Sequence, residues 1–95
     1  MDLEFSGAVI FWKGPAPWHF VTVPEPESDA IADVSAMASY GWGCIPVTVQ
    51  IGDTSFRTSL FPKDGRYLVP LKTSVRKAAA IDLGDVVTVT LTVDF

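Results

Sequence analysis

Lys72 and Arg76 stand one helical turn apart in the run Leu71-Lys72-Thr73-Ser74-Val75-Arg76-Lys77. On a helix that spacing puts both side chains on one face, where an ammonium and a guanidinium together can hold a phosphate or a carboxylate. Arg57 adds a third base upstream, and Ser59 two residues on offers a hydroxyl to the same kind of ligand. Trp12, Trp18 and Trp42 fall at the ends of apolar runs, with Phe20 and Tyr40 close by in sequence. A large ring with one hydrogen-bonding end is favoured at binding surfaces, so these positions suggest a cleft or an interface. The candidate ligand-binding residues are therefore Trp12, Trp18, Trp42, Arg57, Ser59, Lys72 and Arg76. Each also has a plain structural use, since surface bases are commonly solvated and tryptophans commonly plug the ends of small barrels.

No catalytic constellation accompanies them. His19 has no sequence-adjacent partner, and Ser59 lies in Arg57-Thr58-Ser59-Leu60 without the Gly-x-Ser-x-Gly elbow of a hydrolase. The carboxylates are scattered, with no spacing that specifies an acid and base couple. Gly41-Trp42-Gly43 has no third glycine and no following helix start, so it is not a phosphate loop. The single cysteine, Cys44, excludes an intrachain disulfide and, with one histidine, leaves no zinc-ligand set; beside Ile45 it reads as a small packing residue. No cofactor and no metal are implied, and the chain reads as a binding protein rather than an enzyme.

Charge sharpens the partner question. Between Arg57 and Lys77 six bases face one acid, Asp64, a local balance of plus five, whereas the rest of the chain has one base, Lys13, against ten acids. The net charge of −4 and a pI near 4.6 oppose long-range steering to nucleic acid, unless a dimer joins two basic patches. A small anionic ligand or an acidic peptide suits the basic segment better, on a monomer or a weak dimer. The acids of Met1-Asp2-Leu3-Glu4 stand where a secretory signal needs bases, and no apolar run reaches the roughly 18 residues of a membrane span. A soluble, cytoplasmic protein is the expectation.

The elements that must position these side chains are mostly strands. Ninety-five residues, 48% hydrophobic and 19% charged, suit one domain over 1–95 and argue against disorder. Strands are expected over Leu3 to Trp12 and Trp18 to Val23, separated by Lys13-Gly14-Pro15-Ala16-Pro17. Pro24 and Pro26 delay a helix until Ser28, an N-cap, with Ile31, Val34 and Ala38 on one face and Gly41 and Gly43 ending it. Ile45 to Ile51 and Ser55 to Phe61 alternate around Gly52-Asp53-Thr54 as a hairpin. Tyr67 to Leu71 is extended with Pro70 marking an edge or a bulge, and Thr73 or Ser74 caps a second short helix carrying Val75 and Ala78 or Ala79 inward. A final strand, Val86 to Val93, follows Gly84-Asp85. No β-α-β alternation is present, so the predicted fold is mainly β: a small closed β-barrel of six to seven strands with two short helices.

Several blocks in this order carry a family likeness: Phe11-Trp12, Trp18-His19-Phe20-Val21 and Pro24, Gly43 to Val47, Arg57-Thr58-Ser59-Leu60-Phe61-Pro62, Tyr67-Leu68-Val69-Pro70-Leu71-Lys72, Val75-Arg76-Lys77-Ala78 and Gly84-Asp85-Val86-Val87. Across nearly the whole chain they resemble a small prokaryotic family known as domain of unknown function nineteen-oh-five. The resemblance implies a bacterial β-barrel, in some members fused to a domain associated with bacteriocin protection, and it implies no activity. The last third is more distantly similar to the swapped-hairpin transcription factors of antitoxin and transition-state regulator type. That likeness implies a half-barrel topology; the acidic balance and the missing basic arm depart from a DNA-binding pattern. Two functions follow, a small binding module for an anionic ligand or acidic peptide and, as the alternative, a dimeric DNA-associated regulator.

Overall fold

A computed structural model describes residues 1–13, 18–38 and 45–93; Tyr40, Gly41, Trp42, Gly43 and Cys44 lie outside the described residues. Six strands, β1 (Asp2–Trp12), β2 (Trp18–Thr22), β3 (Ile45–Ile51), β4 (Thr54–Lys63), β5 (Arg66–Leu71) and β6 (Val86–Val93), close into a barrel in the order β1-β2-β5-β4-β3-β6. Every pairing is antiparallel. One chain supplies all the strands that close it, which removes the free edges that so many apolar strands would otherwise present.

Two strands change partner along their length and so make the corners. β1 pairs with β6 over residues 2–8 and with β2 over 9–12, while β4 pairs with β3 over 54–60 and with β5 over 61–63. A strand that serves two sheets must bend, and in β1 the change of partner falls between Ala8 and Val9, just after Gly7. Gly7 is there for room: a Cβ at this position would sit 2.2 Å from the carbonyl oxygen of Thr22. At Pro70 β5 is paired on one side only, with β2, since its pairing to β4 ends at Leu68. That local edge accommodates a residue with no N–H to donate, as the sequence predicts.

Alternation fills the interior as the two-residue period requires. Val47, Val49 and Ile51 of β3 and Val89, Leu91 and Val93 of β6 are buried, as are Val9, Val21, Leu60, Val69 and Leu71 from the other strands. A six-stranded barrel is too narrow for anything but its own side chains, so these form one core.

Both helices add to that core. Helix α1 (Glu25–Ala38), packed on β3 and β5, inserts Ile31, and α2 (Thr73–Ala78), packed on β4, inserts Val75. Only α2 is short; α1 runs 14 residues because it starts earlier than the prolines suggest. The Ser28 N–H bonds the Pro24 carbonyl at 2.8 Å, so Pro24 occupies the cap position and Pro26 the first turn, where no intrahelical N–H is required. Ser28 is thus inside the helix and buried. Its hydroxyl donates to the Val23 carbonyl at 3.1 Å and accepts from the Tyr67 N–H at 3.2 Å, tying α1 to the ends of β2 and β5.

Helix α2 also departs from expectation at its start. Lys72, extended and without a side-chain cap bond, is its N-cap, while Thr73 is the first helical residue. Its end is a Schellman turn: the Ile81 N–H reaches the Arg76 carbonyl at 2.9 Å, the Ala80 N–H reaches Lys77, and Ala80 adopts φ +54°. Ala79 packs partly against the core and Ala78 is exposed.

Candidate functional site

The pairing β1-β2-β5 brings Phe11, His19 and Leu71 into one row, because Phe11 faces His19 and His19 faces Leu71. Leu71 is buried, so this row belongs to the inner face at the mouth of the barrel. Phe11 and His19 meet edge to face, with ring centroids 4.9 Å apart. Immediately beyond Leu71 the chain turns into α2, and the turn leaves a cleft of about 180 Å³ lined by Trp18, His19, Leu71, Lys72, Thr73 and Arg76. The cleft therefore joins three residues from the sequence candidates, bringing Trp18 to Lys72 and Arg76 across more than fifty positions of chain.

The bases of this cleft are not engaged by protein acids. Among the described residues no carboxylate pairs with Lys72 or Arg76, and the half-buried Arg76 keeps its Nε–H out of water with no acceptor. A buried donor left unpaired costs about 1–3 kcal/mol, and because this Nε–H is closed to solvent it is the outer N–H groups of the guanidinium, with Lys72, that an incoming acceptor would meet. The cleft carries two full positive charges, one imidazole and no acid, and an oxyanion is the chemistry it can hold.

The remaining candidates lie elsewhere. Trp12 is the cross-strand neighbour of Trp18 but packs along the outer face with Phe20 and Phe61, at centroid distances of 6.2 and 5.9 Å, and Lys63 Nζ sits 4.3 Å above its ring. Arg57 and Ser59, opposite Thr48 and Pro46 on β4, do not line the cleft, though both make contacts of their own. Trp42 lies outside the described residues. Of the six bases in the Arg57 to Lys77 segment, Lys63 lies over the Trp12 ring, Arg66 pairs with Glu25 at 3.3 Å, and Arg57 has a contact of its own.

His19 and Thr73 were not among the sequence candidates. His19 becomes part of the site only through the strand pairing, which places it against Leu71; its lack of sequence neighbours says nothing about partners across a sheet. No group of metal-binding side chains is present among the described residues, and none of their helices is long and apolar enough to cross a membrane.

A closed six-stranded antiparallel barrel whose core is completed by two helices, with a basic cleft at one mouth, is the class of protein this geometry defines. The chain belongs to the family described as Domain of unknown function (DUF1905), whose profile matches residues 5–91 and so takes in both helices and all or most of every strand. No curated protein matches the chain.

Proposed function

We propose that this barrel is a binding module for a small oxyanion, a carboxylate or phosphate group, held at the mouth by Lys72 and Arg76 with Trp18 and His19 as the facing wall. The observation that carries the reading is Arg76, half-buried at the cleft with a guanidinium committed to no acceptor among the described residues. The guanidinium presents paired N–H groups in a fixed fork, and Lys72 adds a point charge from one turn away. The volume limits the guest. At about 180 Å³ the cleft is smaller than the roughly 300 Å³ at which sites for drug-sized molecules begin, so it suits an ion or the acidic end of something larger.

Thermal unfolding of the purified protein with sulfate, phosphate and acetate tests this. A ligand at about 100 times its Kd adds roughly 2.7 kcal/mol to native stability, which in a domain of this size raises Tm by about 10 °C or more. Lys72→Gln combined with Arg76→Gln abolishes the shift. A rise that survives in the double variant places the anion elsewhere and rejects the reading, as does the absence of any rise.

A further inference from the structure

A second depression, about 290 Å³, adjoins the first on α2 and is lined by Thr73, Arg76, Lys77, Ala80, Ile81 and Asp82. Thr73 and Arg76 line both, so the two hollows flank one ridge of the helix rather than being separate features. Their chemistry differs. The first holds two bases and no acid; the second shares Arg76 and adds Lys77 against one acid, Asp82, and has Ala80 and Ile81 in its wall. Ile81 is buried and anchored through its N–H to the Arg76 carbonyl, so that apolar wall is fixed relative to the backbone that carries Arg76.

The geometry points to a ligand that is an amphipathic carboxylate, with its acid group at Lys72 and Arg76 and an uncharged aliphatic body crossing the Thr73–Arg76 ridge into the second hollow. This rests on the oxyanion reading and adds the identity of the rest of the molecule. Charge favours this orientation, because the first hollow sets two bases against no acid whereas in the second Asp82 offsets one of the two bases, Arg76 and Lys77. Size agrees, because the two hollows together exceed the roughly 300 Å³ at which organic ligand sites begin, whereas an isolated ion needs only the first. A free aliphatic acid and the C-terminus of a peptide ending in an aliphatic residue share this chemistry.

Titration calorimetry with acetate, butyrate and hexanoate, set beside sulfate and hexanol, tests the inference. Each methylene withdrawn from water tightens binding by roughly two- to fourfold, so hexanoate is expected to bind on the order of tenfold or more tighter than acetate. Hexanol, lacking the head group, does not bind. Ala80→Asp, a residue type that tolerates the φ of +54° at this position, removes the hexanoate advantage and weakens acetate and sulfate only by a common factor through its charge; Ala80→Asn removes the advantage without that common loss. Equal affinity for acetate and hexanoate, with both lost in the Lys72 and Arg76 variants, overturns the second subsite and leaves the oxyanion site standing. A hexanoate advantage that persists in Ala80→Asp also overturns it. Failure of sulfate and of every acid to bind rejects both. A short peptide ending in a free leucine, compared with its amide, then tells a protein terminus from a free acid: binding tighter than hexanoate by the free form alone assigns the terminus, and binding by neither assigns the free acid.

Discussion

Replacing Gly7 by alanine adds one methyl group where the barrel has least room for it. The new Cβ falls 2.2 Å from the Thr22 carbonyl oxygen and 2.8 Å from Val21 Cγ1. An ordinary carbon–oxygen contact needs about 1 Å more than the first of these distances, and the obstacle is backbone. Backbone yields only if a strand moves, and β2 is held by paired residues on both flanks, 18–21 against β1 and 19–22 against β5. Overpacking a well-filled interior costs about 1–3 kcal/mol when side chains can give; here the cost belongs at or above the upper end, about 3 kcal/mol. Against a typical stability of about 5–15 kcal/mol that is a large fraction, and it lowers Tm by roughly 12 °C or more. Gly52→Ala provides the contrast, because Gly52 has nothing within 4 Å of its added Cβ but sits at φ +58°, so its cost is backbone strain alone, about 1 kcal/mol. Urea unfolding followed by circular dichroism measures both. If Gly7→Ala unfolds within 1 kcal/mol of the parent, or costs less than Gly52→Ala, the close approach of β1 to β2 is not what fixes glycine at this corner.

Two further substitutions test local structure. Ser28→Ala removes the hydroxyl that serves both the Val23 carbonyl and the Tyr67 N–H, leaving a buried donor unpaired, and is expected to cost about 2 kcal/mol in urea unfolding. A loss under 0.5 kcal/mol shows that α1 is not tied to β5 through this side chain. Ala80→Gly relieves the left-handed conformation at the end of α2, and thermal unfolding should show a gain of about 0.5–1 kcal/mol, with a loss refuting the Schellman geometry.

The barrel was legible because its signal is periodic and local. The alternation Val47, Val49, Ile51 and Val87, Val89, Leu91, Val93 gives both strand and buried face, and Gly52-Asp53 marks the turn between β3 and β4. Where local rules competed the reading slipped. Pro24 and Pro26 forbid helix interior, yet the first turn of a helix asks nothing of the N–H they lack, so α1 begins at Glu25 and turns Ser28 from a cap into a buried strut. The site was legible only in part for a related reason. Lys72 and Arg76 are joined by a helical period and can be paired by counting, whereas Trp18 and His19 reach them through the β2–β5 register, which no spacing in the sequence encodes. Arg57, nearer to Lys72 in sequence than Trp18 is, does not line the cleft.

Gly84-Asp85 shows how far the scaffold governs that mouth. The pair has the composition of a functional turn, but its backbone is used for closure: the Gly84 N–H donates to the Val9 carbonyl at 3.1 Å, and the Val9 N–H donates to the Asp85 carbonyl at 2.8 Å. Val9 is where β1 leaves β6 for β2, so this turn fills the pairing that the bend in β1 would leave open. The Asp85 carboxylate holds the turn from within by accepting the Asp82 N–H at 2.9 Å. Four residues before Asp85, the Ile81 N–H donates to the Arg76 carbonyl. A continuous set of backbone bonds thus runs from the corner of β1 through the turn to the base of the cleft, and Arg76 is held in place by the same contacts that close the barrel. A change at the β1 corner should therefore reach the cleft as well as the fold, and the loss of anion affinity in Gly7→Ala at temperatures where the variant remains folded is the measurement that separates a rigid link from a merely adjacent one.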